Sequence, residues 1–241
     1  MSKHLEVLQS KSLLPDDYYD DSTRFEINRG LRFTAKNLLF GGLRVSRGRT
    51  IVSLPESVAM GLGTNVVVAA THRSWEDIPR TVAATDRAGI KPVRFVFKAE
   101  FCKPSVVGRA FEKMGGVAVD RLSPDAAGLL KILGGFLDEE QSVAFYPEAT
   151  RKKTDTRKIG DLKSGAITLA ARHNVPVLPL AIAGVAQDDE RPMLLDRQPV
   201  VAVFGEPITP SRGNLRSAQD ELAVQLQVAL DHGYEMRSSE L

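Results

Sequence analysis

Short, continuously apolar runs alternate along this chain with longer segments whose apolar residues recur at helical spacing. That alternation constrains the fold more than any other feature. The runs Asn65–Ala70, Val93–Phe97, Val117–Val119 and Ser142–Tyr146, with 175–183 and 199–204, are rich in valine and phenylalanine and bounded by glycine, proline or polar clusters. Each is too short for a helix and lacks a polar face, the pattern of a strand covered on both sides. A further strand is expected over 43–53, after Gly41-Gly42, and a turn or short helix from Pro55 to Gly63. Helices are expected at about 24–40, from the polar segment 71–78 to near Gly89, at about 105–114 with Gly115-Gly116 as the stop, at about 164–173 and at about 216–232. Another starts at Ser123-Pro124-Asp125, read as a cap, a proline at the first helical position and an early acid, and carries Leu129, Leu130, Leu133, Phe136 and Leu137 on one face. Strand–helix alternation predicts one α/β domain over 41–241, with a mostly parallel central sheet flanked by helices, preceded by an amphipathic helical segment within 1–40.

Composition narrows the function classes. A chain of 241 residues buries a core without covalent staples, and the single cysteine, Cys102, excludes an internal disulfide framework. The net charge of +2 carries no signal for nucleic acid. No run of eighteen apolar residues is present, so no membrane-spanning helix is expected, and the start Met1-Ser2-Lys3-His4 lacks the apolar core of a secretory signal. Charge is nevertheless unevenly placed. Asp16, Asp17, Asp20 and Asp21 precede Arg24, Arg29, Arg32, Lys36, Arg44, Arg47 and Arg49, which are interleaved with Leu31, Phe33, Leu38, Leu39, Phe40 and Leu43. Such a stretch fits a surface helix with a solvated basic face, or a basic amphipathic helix lying on anionic lipid. Gly61-Leu62-Gly63 lacks the further glycine of a dinucleotide fingerprint, and no Gly-x-Ser-x-Gly, P-loop or His-Glu-x-x-His is present.

Chemistry concentrates where strands end. The valine-rich run closes into Thr71-His72-Arg73-Ser74-Trp75-Glu76-Asp77. Ligands of parallel α/β sheets bind beyond the carboxyl ends of the strands. A neutral imidazole there can take a proton from a hydroxyl, and a carboxylate on its other nitrogen can hold and charge-balance it. Residues five apart share no helical face, so His72 and Asp77 meet only if the histidine is on the loop and the aspartate on the first turn of the next helix. By itself the spacing fits such a pair and equally an exposed loop histidine beside a helix-capping aspartate. Two more polar segments follow strands: Lys98-Ala99-Glu100-Phe101, leading through Gly108 to Gly115–Arg121, and Phe145–Arg151, opening a basic stretch that ends at Lys163. Arg121 and Arg151 fit either anion ligands or ordinary surface arginines. Cys102 has no histidine close in sequence and reads as a packing residue.

These segments, with Val175-Pro176-Val177-Leu178-Pro179-Leu180, form four ordered blocks over about 40–206 that resemble the glycerolipid acyltransferase superfamily, which includes 1-acylglycerol-3-phosphate and glycerol-3-phosphate acyltransferases. Lys163-Ser164-Gly165 and the closing Gly205-Glu206-Pro207-Ile208 also match. The resemblance implies that His72 is the general base and Asp77 its orienting partner, and that the acceptor hydroxyl attacks an acyl thioester directly. It implies that Lys98, Arg121, Thr150 and Arg151, with Lys163, bind the acceptor and its phosphate. Glu148 would bind the glycerol portion or shape the third block, and Pro179 would support the donor side. The co-substrate would be acyl-CoA or acyl-carrier protein and the acceptor a lysophospholipid or glycerol phosphate, with no metal or other cofactor. The place of work would be the cytoplasmic face of a membrane, held peripherally. A glycerol-3-phosphate acyltransferase, a non-catalytic lipid-binding relative and a thioester hydrolase are the alternatives. Two positions depart from the family: Ala149 stands where glycine is usual and Lys152 where serine is usual.

Overall fold

The computed structural model describes residues 14, 18–20, 26–28, 30, 31, 34, 50–74, 76–90, 92–102, 105–120, 125–151, 156–185 and 199–239. The basic stretch of 24–40 and the start of the strand expected over 43–53 lie largely outside them, as does Arg121.

Strands and α-helices follow one another through the described residues from 50 onward: β1 (Thr50–Ser53), α1 (Glu56–Ala59), β2 (Val67–Ala70), α2 (Asp77–Arg87), β3 (Val93–Lys98), α3 (Ser105–Lys113), β4 (Gly116–Val119), α4 (Ala126–Asp138), β5 (Ser142–Phe145), α5 (Gly165–His173), β6 (Val177–Ala183), β7 (Val200–Phe204) and α6 (Leu215–Ser239). The strands form one sheet in the order β1-β7-β6-β2-β5-β3-β4. Every neighbouring pair is parallel except β6 and β7, where Leu180 faces Phe204 and Ala183 faces Val201 in an antiparallel ladder. The α/β class and largely parallel sheet expected from the alternation are therefore present.

Burial explains why these strands read as unbroken apolar runs. Val66 through Ala70 and Val177 through Ala183 are fully enclosed at the sheet centre, because helices cover both faces. Helices α2 and α6 both pack on β6 and β7, while α5 joins α4 and α6 in one layer. The chain leaves β2 through α2 towards β3 on one side, and leaves the adjacent β5 through α5 to reach β6 on the other. Crossovers of one hand running in opposite directions from neighbouring strands place their helices on opposite faces and open a crevice between the two loops. The loop carrying His72 and the loop carrying Glu148 border that crevice.

Helix α4 starts later than Ser123 suggested. Ser123 and Pro124 lie outside the described residues, and the cap is Asp125, whose carboxylate accepts from Gly128 N–H at 2.8 Å. At the far edge of the sheet, β4 would expose unpaired backbone. Tyr18 and Tyr19 close it: the Tyr18 hydroxyl accepts from Ala118 N–H and the Tyr19 hydroxyl donates to Ala118 O, each at 2.9 Å. Burial pushes both phenols up, Tyr19 to about 12 and Tyr18 further, so both remain neutral donors and acceptors. Among the described residues no helix is long and apolar enough to cross a membrane.

Candidate active site

His72 follows β2 by two residues, and Asp77 is the first residue of α2. The loop between them brings the imidazole back over the helix start, so Nδ1 of His72 lies 3.1 Å from Oδ2 of Asp77. The same oxygen accepts the backbone N–H of Ser74 at 2.7 Å and that of Arg73 in a shorter bond. Asp77 is fully enclosed, and its place at a helix N-terminus favours a negative charge there. A carboxylate on Nδ1 selects the tautomer with the proton on that nitrogen, leaving the Nε2 lone pair for a substrate. The His72 side chain is 11% exposed, enough to reach a ligand in the crevice and too little to rotate freely.

Tyr146 forms the wall behind the imidazole. Its ring centroid is 4.7 Å from that of His72, tilted by 38°. Its hydroxyl donates to Thr81 Oγ1 on α2 at 3.2 Å. Burial pushes this phenol far above its ordinary value; the Thr81 bond opposes the shift and the Asp77 charge adds to it. Tyr146 is thus a neutral packing surface for the imidazole.

Beneath the pair sits a polar knot. Glu148 is buried, and its Oε1 accepts the backbone N–H of His72 at 3.1 Å and the Nη1 of Arg73 in a shorter bond; its Oε2 accepts Gly160 N–H at 3.0 Å. Arg73, 3% exposed, also donates from Nε to Thr156 O at 3.0 Å, from Nη2 to Lys158 O at 3.1 Å and from Nη1 to His72 O at 3.1 Å. Helix α6 holds the same loop from outside: Gln227 accepts Ile159 N–H at 2.9 Å and donates to Arg157 O at 2.8 Å, and Gln219 donates to Leu162 O at 3.2 Å.

The structure brings His72, Asp77 and Glu148 together, the first two by a side-chain bond and the third through the His72 backbone. Both Glu148 oxygens accept from protein donors, Oε1 from the His72 N–H and Arg73 and Oε2 from the Gly160 N–H. Lys98 is half-buried at the carboxyl end of β3, two strands from β2 on the same rim. Thr150 is exposed and Arg151 half-buried just beyond β5. Lys163 is exposed, and its backbone N–H is tied to Pro147 O at 2.8 Å. Reasoning from sequence missed Arg73, Tyr146 and Thr81. The one hint for Arg73 was its position directly after the histidine, and nothing local distinguished a buried arginine from an exposed one.

Ala149 has φ of +59°, and its turn is closed by Thr150 N–H on Glu148 O at 2.6 Å. A side chain in this region costs roughly 1–2 kcal/mol. Glycine would relieve that, offset by its greater unfolded-state freedom of about 0.4–1 kcal/mol. Ala149→Gly is accordingly expected to raise stability by about 1 kcal/mol in urea unfolding and to leave the fold unchanged. A lower midpoint for the glycine variant would show that the turn carries no such strain, since only the entropic cost of glycine would then remain.

A family model described as Acyltransferase matches residues 49–183, more than half of the chain. A chloroplastic 1-acyl-sn-glycerol-3-phosphate acyltransferase of Brassica napus is 28% identical over 155 residues, 63% of this chain and 43% of that protein. A second chloroplastic 1-acyl-sn-glycerol-3-phosphate acyltransferase, from Arabidopsis thaliana, is 30% identical over 125 residues, 52% of this chain and 33% of that protein. The 1-acyl-sn-glycerol-3-phosphate acyltransferase of Bacillus subtilis (strain 168) is 28% identical over 144 residues, 59% of this chain and 66% of that protein. In each case the match spans less than two thirds of the relative's length. The crystal structure of the 1-acyl-sn-glycerophosphate acyltransferase PlsC from Thermotoga maritima superposes with a TM-score of 0.60 at 20% identity, covering 87% of this chain and 85% of that one, a likeness of fold.

Proposed function

Because this chain belongs to the acyltransferase family, we propose that it moves a fatty acyl group from a thioester, acyl-CoA or acyl-carrier protein, onto the hydroxyl of a 1-acylglycerol-3-phosphate-type acceptor in phospholipid synthesis. The observation that carries the reading is the imidazole held by Asp77 at 3.1 Å, on the rim of the crevice between oppositely directed crossovers. In the reaction, His72 Nε2 takes the proton of the acceptor hydroxyl as its oxygen attacks the thioester carbonyl. Asp77 balances the charge on the imidazolium. The C–S bond then breaks, and the leaving thiolate recovers the proton from Nε2, so base and acid roles cancel over one turnover.

Acceptor binding is assigned to the cations that the sequence singled out. Lys98, Arg121, Arg151 and Lys163 offer positive charge to a phosphate, with Arg151 suited to paired donation and the lysines acting as point charges. Thr150 adds a hydroxyl. Glu148 holds the backbone of His72 from below. Residues 41–241 carry the reaction, and the basic apolar stretch within 1–40 rests on the cytoplasmic face of the membrane that supplies the acceptor.

The test is thiol release from acyl-CoA, read together with the lipid product. 1-Acylglycerol-3-phosphate should stimulate release and yield phosphatidate in equal amount. Stimulation by glycerol-3-phosphate alone would move the acceptor assignment. Release that is independent of any acceptor would replace acyl transfer with hydrolysis.

A further inference from the structure

Arg73 is an arginine with almost no solvent contact, whose side-chain hydrogen bonds go to Glu148 and to backbone carbonyl groups. Burying a guanidinium is costly unless its charge is paired and its N–H groups are satisfied. Here the charge is paired with Glu148, itself buried, and the other side-chain bonds among the described residues go to backbone carbonyl groups: His72, Thr156 and Lys158. His72 belongs to the loop between β2 and α2, whereas Thr156, Lys158 and Glu148 all belong to the connection between β5 and α5. The fork therefore locks together the base loop, the block around Glu148 and the basic stretch before Lys163.

We propose that Arg73 is a positioning residue for the acyl transfer: with Glu148 it sets the backbone of His72, and it couples the orientation of the base to the loop that presents the cations at 157, 158 and 163. The inference rests on the reading of His72 as the base. Two bonds hold the two peptide units that flank the His72 Cα, Glu148 on its N–H and Arg73 on its carbonyl. Together they fix where the side chain starts, as Asp77 fixes where it ends. Arginine is required by geometry rather than by charge. A lysine keeps the ion pair but cannot reach carbonyl groups on both sides of a planar fork.

The test uses the full-length protein with Arg73→Lys, Glu148→Gln and the double variant. All are compared with the native protein for thermal unfolding, steady-state kinetics with acyl-CoA and 1-acylglycerol-3-phosphate, and the downfield proton resonance of the His72 Nδ1–H, assigned by its loss in His72→Gln. Arg73→Lys should remain folded at the assay temperature. Its kcat should fall at least tenfold and its acceptor KM should rise several-fold, with the donor KM within twofold of native. The double variant should be no slower than the slower single variant, because both substitutions break one unit. The Nδ1–H resonance should shift or broaden in both single variants. That last readout needs no substrate, so it judges the positioning role even if the native protein proves not to acylate this acceptor. A folded Arg73→Lys with an unchanged resonance would overturn the inference, as would native kcat in that variant or losses that multiply in the double variant.

Discussion

His72→Ala is expected to fold as the native protein does and to lose about 10²–10⁴-fold in the rate of acyl transfer, the usual contribution of a positioned general base. Folding should survive for a structural reason. The His72 contacts that organise the loop run through its backbone: its N–H goes to Glu148 and its carbonyl to Arg73, and alanine keeps both. What disappears is the ring over Tyr146 and the bond to Asp77. Asp77 still accepts the backbone N–H groups of Arg73 and Ser74, so it is not left bare. The ring lies at the crevice rim, so water can enter the space it vacates. The measurement is kcat with saturating donor and acceptor beside the unfolding midpoint. A rate within a few-fold of native in a folded variant would remove His72 from the mechanism. A variant that unfolds would instead mean that the ring, and not the backbone, holds the loop.

Much of this site was legible because the information is local. A valine run that ends in a histidine, followed five residues later by an aspartate at a helix start, determines by chain geometry alone that the two can meet. The strands were legible because enclosure on both faces leaves Val66–Ala70 and Val177–Ala183 little choice of residue type. What stayed hidden depends on distant segments. The place of β6 between β2 and β7, and the reversal of β7, follow from which apolar faces find each other. The end of α6 was also misread. The helix expected over about 216–232 continues to Ser239. The reason is packing: a Cβ on Gly233 would lie 2.9 Å from Ala183 Cβ and 3.4 Å from Val203 Cγ2, so glycine is needed for the helix to lie close on β6 and β7. The strain at Ala149 was foreseeable only as a condition, since sequence does not reveal the sign of φ. Arg73 was hidden for a related reason, because its partners Glu148, Thr156 and Lys158 lie more than seventy residues away.

Asp77 separates the two roles a buried carboxylate can have, because its two oxygens are used unequally. Oδ2 accepts from His72, Arg73 and Ser74, whereas Oδ1 has no hydrogen-bond partner among the described residues. In Asp77→Asn the amide oxygen can take the place of Oδ2 and the amide nitrogen the place of Oδ1. The loop bonds and the histidine tautomer then survive, and only the negative charge is lost. A charge facing an imidazolium at about 4 Å is worth roughly 4 kcal/mol at the effective dielectric of such sites. At about 1.4 kcal/mol per decade that is on the order of a 10³-fold fall in kcat. Stability should change little. Asp77→Ala is expected to behave differently, since it strands the two buried backbone N–H groups at a cost of about 1–3 kcal/mol each, and should lower the unfolding midpoint sharply. Kinetics and unfolding of the two variants side by side read the roles independently. An asparagine variant as fast as the native protein would show that the carboxylate only shapes the loop. A slow asparagine variant that is also as unstable as the alanine one would show that the amide cannot occupy the site, and the catalytic charge would then have to be measured by other means, such as the pH dependence of the His72 Nδ1–H resonance in the native protein.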